Sequence, residues 1–214
     1  MNKTSNIICI CIIAYVVIFI FGKTIWSQYQ ITDSIETNKN TEGFKTNVLY
    51  RESMLNSNKY KVQDYENPTK AANVLATLTK NMKRIVKHLK EKHGEDERVV
   101  RFSKRLVDLQ IEEAVHEEDA SSYTINKGES MALCLRHKND TKDFHDIQTL
   151  MFVLIHELAH VMSVSEGHNA EFMANFKFIL REAKEAGVYM PVDYSHSPIT
   201  YCGVKVTHNP HYSR

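Results

Sequence analysis

The run His156-Glu157-Leu158-Ala159-His160 lies inside an almost unbroken apolar stretch from Leu150 to Met162. Residues four apart on a helix lie one above the other, so a helix here brings both imidazoles to one face and turns Glu157 toward the same cleft. Leu150, Met151, Phe152, Val153, Leu154 and Ile155 are apolar on every side, as in a helix buried all round. Two imidazoles and a carboxylate in such a helix are costly to desolvate unless something satisfies them, and a divalent metal with its water satisfies all three. The spacing predicts a Zn²⁺ site of the hydrolytic kind, with Glu157 as general base. The competing reading, two ordinary core histidines, is weakened by the apolar flank and by a third histidine just downstream.

A catalytic zinc takes three protein ligands and keeps a fourth position for water. His168 leads as the third. The helix is expected to run on to Val164 and to end over Ser165-Glu166-Gly167, where glycine reverses the chain. His168 then opens a second helix, marked by Phe172, Met173, Phe176, Ile179, Leu180 and Ala183 and stopped by Gly187. Glu171, about one turn beyond His168, is the rival ligand, or else holds a ligand histidine by its other ring nitrogen.

His156-Glu157-x-x-His160 followed by Gly167-His168-Asn169-Ala170-Glu171-Phe172 resembles the active-site segment of the WLM and SprT-like zinc metallopeptidases, in which such an element supplies the third histidine. That likeness covers Leu150 to Ala183. The chain is also similar to uncharacterised metallopeptidase-like proteins of large DNA viruses, through Tyr123 to Gly128 and Leu133 to Arg136. The resemblance implies a zincin-like α+β domain, a zinc cofactor and a protein or peptide substrate. A metzincin is excluded, since that pattern needs glycine at Ser163 and histidine at Glu166. No DNA-binding module is recognisable, so the DNA-repair role of some such relatives is not carried over.

Ile7 to Phe21 is almost wholly apolar, and Gly22 to Trp26 extends it to about the length of a thin bilayer, with Trp26 at the interface. No small-x-small cleavage site follows it, so residues 1–26 read as an uncleaved single-pass membrane anchor rather than a signal peptide. Lys3 and Lys23 flank it on both sides and leave the sidedness open. Asn139-Asp140-Thr141 is a glycosylation acceptor only if the domain lies outside. Residues 27–58, rich in Asn, Thr, Ser, Lys and Glu, read as a polar juxtamembrane linker, and 59–214 as one metallopeptidase domain.

Within that domain a strand is expected at Lys61 to Tyr65, then a helix opened by Asn67-Pro68 and ended by Gly94. Its stripe is Leu75, Leu78, Met82, Ile85, Val86 and Leu89. A second helix spans about Glu97 to Leu109. The pair carries Lys80, Lys83, Arg84, Lys87, Lys90, Lys92, Arg98, Arg101, Lys104 and Arg105, a face for nucleic acid or an anionic membrane surface in one reading. The chain holds 27 Lys and Arg against 26 Asp and Glu, so a solvated helix face is favoured. Ser122–Ile125 and Met131–Arg136 read as a hairpin turning through Asn126-Lys127-Gly128, packed on the active-site helix and offering an edge to extended substrate.

Asp143 and Asp146 are candidate caps, and His137 and His145 read as solvated loop residues. Cys202 to Val206 reads as a last strand, and Tyr201 or Tyr194 as a donor to the oxyanion of a tetrahedral intermediate. Cys9 and Cys11 lie in the apolar segment, and Cys134 and Cys202 read as two buried free thiols, with pairing in an oxidising compartment as the alternative. Two other functions fit the same residues. One is a non-peptide amide or ester hydrolase with this zinc chemistry. The other is a membrane-tethered binding protein with a structural zinc, which needs a fourth ligand such as Cys202 or His196.

Overall fold

Buried stripes at helical spacing form the scaffold of the computed structural model, which describes residues 48–115 and 122–213. The anchor read at 1–26 lies outside these residues, and among the described ones no helix is long and apolar enough to cross a membrane. Helix α1 (Pro68–His93) follows Asn67, held left-handed at φ 59°, and places Pro68 in the first turn, where its missing N–H costs nothing. It buries Leu75, Leu78, Met82, Ile85 and Leu89, the stripe expected from the sequence except for Val86, which is only partly buried. Helix α2 (Glu97–Arg105) is capped by Asp96 and stops short of Leu109, because Gln110–Glu113 leaves it to become strand β3.

Helix α3 (Ile147–Met162) carries the His-Glu-x-x-His run and starts at Asp146, whose carboxylate accepts the backbone N–H of Gln148 and Thr149. Twelve of its sixteen residues are buried, as its unbroken apolarity requires. Helix α4 (Ala170–Glu185) is capped by Asn169 and packs beside α3. Arg101 donates to Met162 O, and Arg105 to Val161 O at 2.6 Å and Ser163 O at 2.8 Å, so these two cations cap the C-terminus of α3 rather than face solvent. Arg84 does the same for α4 at Ala186 O. On α4 the buried Glu182 carboxylate accepts from His88 and Lys92 of α1 and from Arg181, clamping the two helices together.

Strands β3, β4 (Ser122–Ile125) and β5 (Ser130–Leu133) form one sheet in the order β3-β5-β4, with β3 parallel and β4 antiparallel to β5. The β4–β5 hairpin packs on α3 as expected, and β4 is left at the sheet edge. At its turn Gly128 has φ 123°, and a Cβ there would meet Arg105 O at 2.7 Å, so only glycine permits this approach to α2. The second strand ends at Leu133, because Arg136 turns away into β6 (Arg136–His137), which pairs with β7 (Asp140–Phe144).

Four further expectations are corrected. The stretch read as a linker to residue 58 contains β1 (Val48–Glu52), paired with β2 (Lys59–Gln63); it is ordered by backbone pairing that its polar composition hides. Beside β2, Arg136 Nε donates to Glu113 Oε1 at 2.6 Å in a wholly buried ion pair, and Glu113 also accepts the N–H of Gln63. The last strand is a hairpin, β8 (Ile199–Tyr201) and β9 (Val204–Val206), turning through Cys202 and Gly203 at φ 46° and 85°. Cys134 and Cys202 are not free thiols: they form a disulfide, Cα atoms 6.4 Å apart, because the hairpin folds back over the end of β5. His145 is likewise buried, not solvated, with Nε2 3.3 Å from Cys202 Sγ and its ring against Tyr201.

Candidate metal centre

Helix α3 ends at Ser163 in extended conformation, earlier than expected, and Ser163 caps it by donating its hydroxyl to Ala159 O at 2.8 Å. The chain then turns through Gly167, at φ 78°, to His168. Glu171 reaches back to this turn and accepts Val164 N–H at 2.8 Å, Ser165 N–H at 2.9 Å and the Ser165 hydroxyl. The Ser165 hydroxyl and the two amides hold its carboxyl down to about 2. Glu171 is therefore neither a ligand nor the partner of a ligand ring; it fastens the loop that delivers His168. Asn169 adds bonds to Ser165 Oγ and Glu166 O, and Asn175 one to Ser163 Oγ.

His156, His160 and His168 meet by their Nε2 atoms, at 3.3 Å between 156 and 160, 3.2 Å between 160 and 168, and 3.0 Å between 156 and 168. Tetrahedral zinc with Zn–N bonds of about 2.0–2.1 Å requires its nitrogens roughly 3.3–3.4 Å apart, so the donor set fits that ion. The Phe172 ring backs all three imidazoles, with centroids 4.3–4.9 Å away. Burial, reinforced by neighbouring imidazoles, drives the pKa of His156 down to about 3 and that of His160 to about 4, so their lone pairs are free for a metal at neutral pH.

Glu157 is 5% exposed, and burial pushes its pKa up to about 7. Thr124 of β4 donates to its Oε2 at 2.9 Å. Thr124 escaped the sequence reading, and its signal was the period-two alternation of β4, which leaves Tyr123 and Ile125 exposed and turns Thr124 toward the helix.

Tyr201 lies beside the site, but its hydroxyl donates to Cys134 O at 2.8 Å and bonds Ser122 Oγ at 2.7 Å; burial raises its pKa. Tyr194 is buried against Phe152, ring centroids 5.0 Å apart, and does not line the cleft. Cys202 is held in its disulfide and His196 by Asp193, and among the described residues no fourth histidine, cysteine or carboxylate joins the three imidazoles. The cleft above them, about 680 Å³, has β4 along one wall and the β8–β9 hairpin at one end.

The model of the WLM domain family matches residues 107–209. An uncharacterized protein of Acanthamoeba polyphaga mimivirus is 30% identical over 166 residues, which span 76% of this chain and 84% of that protein. An uncharacterized protein of Invertebrate iridescent virus 6 is 36% identical over 74 residues, 34% of this chain and 41% of the relative. Among solved structures, Wss1 from Saccharomyces cerevisiae is 17% identical with a TM-score of 0.45, covering 59% of this chain and 87% of that one.

Proposed function

The chain belongs to the WLM domain family, and from that premise we propose that it is a zinc-dependent metallopeptidase that hydrolyses peptide bonds. The observation that carries the proposal is the triangle of Nε2 atoms, 3.0–3.3 Å on a side, with Glu157 alongside and no fourth protein ligand among the described residues. Zinc would be held by His156, His160 and His168 and would supply a Lewis acid for the scissile carbonyl and a means of acidifying water.

Glu157 takes the proton as water attacks and later hands it to the leaving amine. Burial works against ionisation of Glu157, which favours a carboxyl that takes up the proton and then releases it. Thr124 fixes one carboxylate oxygen and so sets the direction of the other. The edge of β4, unpaired among the described residues, offers backbone groups to an extended peptide, which favours a peptide over a compact amide or ester. A structural zinc would need the fourth ligand that Cys202 and His196 do not provide.

Zinc content and casein cleavage of the full chain, compared with Glu157→Gln, test the proposal. One zinc per chain with cleavage lost only in the variant is the expected result; a zinc-free chain would overturn it. The finer reading, a membrane anchor at residues 1–26, rests on the apolar run Ile7 to Phe21. It predicts that the chain stays with membranes after alkaline carbonate extraction.

A further inference from the structure

Four residues with soft-metal chemistry converge outside the imidazole triangle. Cys134 follows β5, His137 closes β6, His145 follows β7, and Cys202 stands in the turn of the β8–β9 hairpin. Cys134, His145 and Cys202 are buried, with two Sγ atoms and an imidazole nitrogen all within 4.8 Å of one another. The backbone places His145, whose N–H donates to Leu135 O at 3.0 Å, one residue beyond Cys134. Its ring is held between those of His137 and Tyr201, at centroid distances of 3.9 and 4.8 Å. The imidazole is therefore aimed at the sulfur pair in advance, with Nε2 3.3 Å from Cys202 Sγ.

The thiolate, not the disulfide, is a metal ligand, so this pair binds nothing while it is oxidised. A dithiol reductant changes that: it gives up two electrons and two protons, closes to its own disulfide, and leaves Cys134 and Cys202 as thiols. As thiols they can rest as donors to Arg136 O, which lies 3.3 Å from Cys134 Sγ and 3.4 Å from Cys202 Sγ. As buried thiolates they are costly unless a cation neutralises them, and one Zn²⁺ balances two. Tetrahedral zinc, with Zn–S bonds of about 2.3 Å and Zn–N bonds of about 2.0–2.1 Å, needs sulfur and nitrogen roughly 3.5–3.6 Å apart and its two sulfurs roughly 3.7–3.8 Å apart. Cys202 and His145 already come close to the first spacing. Side-chain rotation reaches the second, with the Cα atoms 6.4 Å apart. His145 and Cys202 also line a cavity of about 650 Å³ together with His137, so a fourth position opens onto a second imidazole.

We infer that Cys134, Cys202 and His145 form a redox-gated second metal site, closed as the disulfide and open, once a dithiol has reduced it, to one thiophilic divalent ion such as Zn²⁺. On binding, the ion displaces the two thiol protons to solvent. The inference stands on these residues and not on the peptidase reading. Its consequence is mechanical. The β8–β9 hairpin at the end of the cleft is tied to the end of β5 by a covalent bridge in oxidising surroundings and by a metal in reducing ones.

Cobalt(II) is the probe, because thiolate ligation gives it a near-ultraviolet charge-transfer band that an all-imidazole site lacks. The full chain is made with Cys9→Ser and Cys11→Ser, leaving Cys134 and Cys202 as its only cysteines. One sample is oxidised; the other is reduced with a dithiol and freed of it before titration. The reduced chain is expected to bind one equivalent of cobalt more than the oxidised chain, to show the band, and to lose the band when zinc is added. His145→Gln should still close its disulfide, seen as the absence of free thiol in the oxidised sample. It should bind the extra equivalent more than about a hundredfold more weakly, since even an outer-shell partner of a metal ligand is worth about 10–100-fold.

Equal stoichiometry in the two redox states, or an extra equivalent without the band, would overturn the site. Free thiols persisting in the oxidised sample would overturn the gate, and unchanged affinity in His145→Gln would overturn the imidazole's part in it. If that variant does not fold, the stoichiometry and the band of the parent chain decide alone.

Discussion

Replacing Glu171 by Ala should weaken zinc binding although Glu171 does not touch the metal site. The carboxylate accepts two backbone amides and a hydroxyl from Val164 and Ser165, and these bonds fix the turn that brings His168 to within 3.0 Å of His156. Bonds to a charged acceptor are worth about 1.5–3 kcal/mol each when sheltered. This turn is largely exposed, so water replaces much of what is lost, and a total of about 1–2 kcal/mol is the reasonable figure. At 1.4 kcal/mol per decade, the zinc Kd rises roughly tenfold. Competition with a calibrated chelator measures it, and Ser165→Ala should give a smaller loss in the same direction. The two substitutions share the Ser165–Glu171 bond, and Ser165→Ala also removes a bond from Asn169, so the double variant should bind zinc more weakly than Glu171→Ala alone but by less than the sum of the two losses. Strictly additive losses, or an unchanged Kd in Glu171→Ala, would refute this account of how His168 is held.

Thr124→Val should keep its zinc but lose about tenfold in kcat, because the general base then lacks the donor that orients it; equal activity in a peptide assay would contradict that role. Arg136→Leu strands the buried Glu113 carboxylate and should cost about 3–5 kcal/mol in urea unfolding, and adding Glu113→Leu should restore most of it. Burial works against ionisation of Glu182, yet its bonds from Lys92, Arg181 and His88, with the His93 imidazole 3.2 Å away, outweigh that and hold the folded pKa at about 2. The stability it contributes is therefore complete above about pH 4.5 and is lost as pH falls toward 2. In Glu182→Gln the urea midpoint should decline less steeply between pH 5 and pH 2 than in the wild type, and parallel declines would refute the clamp.

Legibility in the sequence followed the range of the compensating interaction. The α1 stripe, the Asp146 cap and the Gly187 stop are local patterns, and each is where the sequence implied. The meeting of the three imidazoles was also legible, because His156 and His160 lie four apart and His168 follows a glycine turn. Strand β3, Gln110–Glu113, carries two carboxylates in four residues and reads as polar; Glu113 is tolerated in the core only because Arg136 arrives 23 positions later. Thr124 gained its role when the β4–β5 register turned it toward Glu157. Glu171 was misread as a rival ligand because spacing gives distance along a helix and says nothing of a loop folding back to its amides. Cys134 and Cys202, 68 apart, share no pattern that encodes their meeting.

The disulfide also has a topological consequence. It closes a covalent ring, and His156, His160 and His168 all lie within it, as does the turn whose Val164 is 60% exposed. A cut in that turn by a protease releases no fragment. The nicked molecule keeps its mass and its three histidines on one covalent framework while losing the continuous path that holds His168 in place. A single band on a non-reducing gel therefore certifies only the disulfide, and separation after reduction is what reveals whether the chain between its two cysteines is still whole.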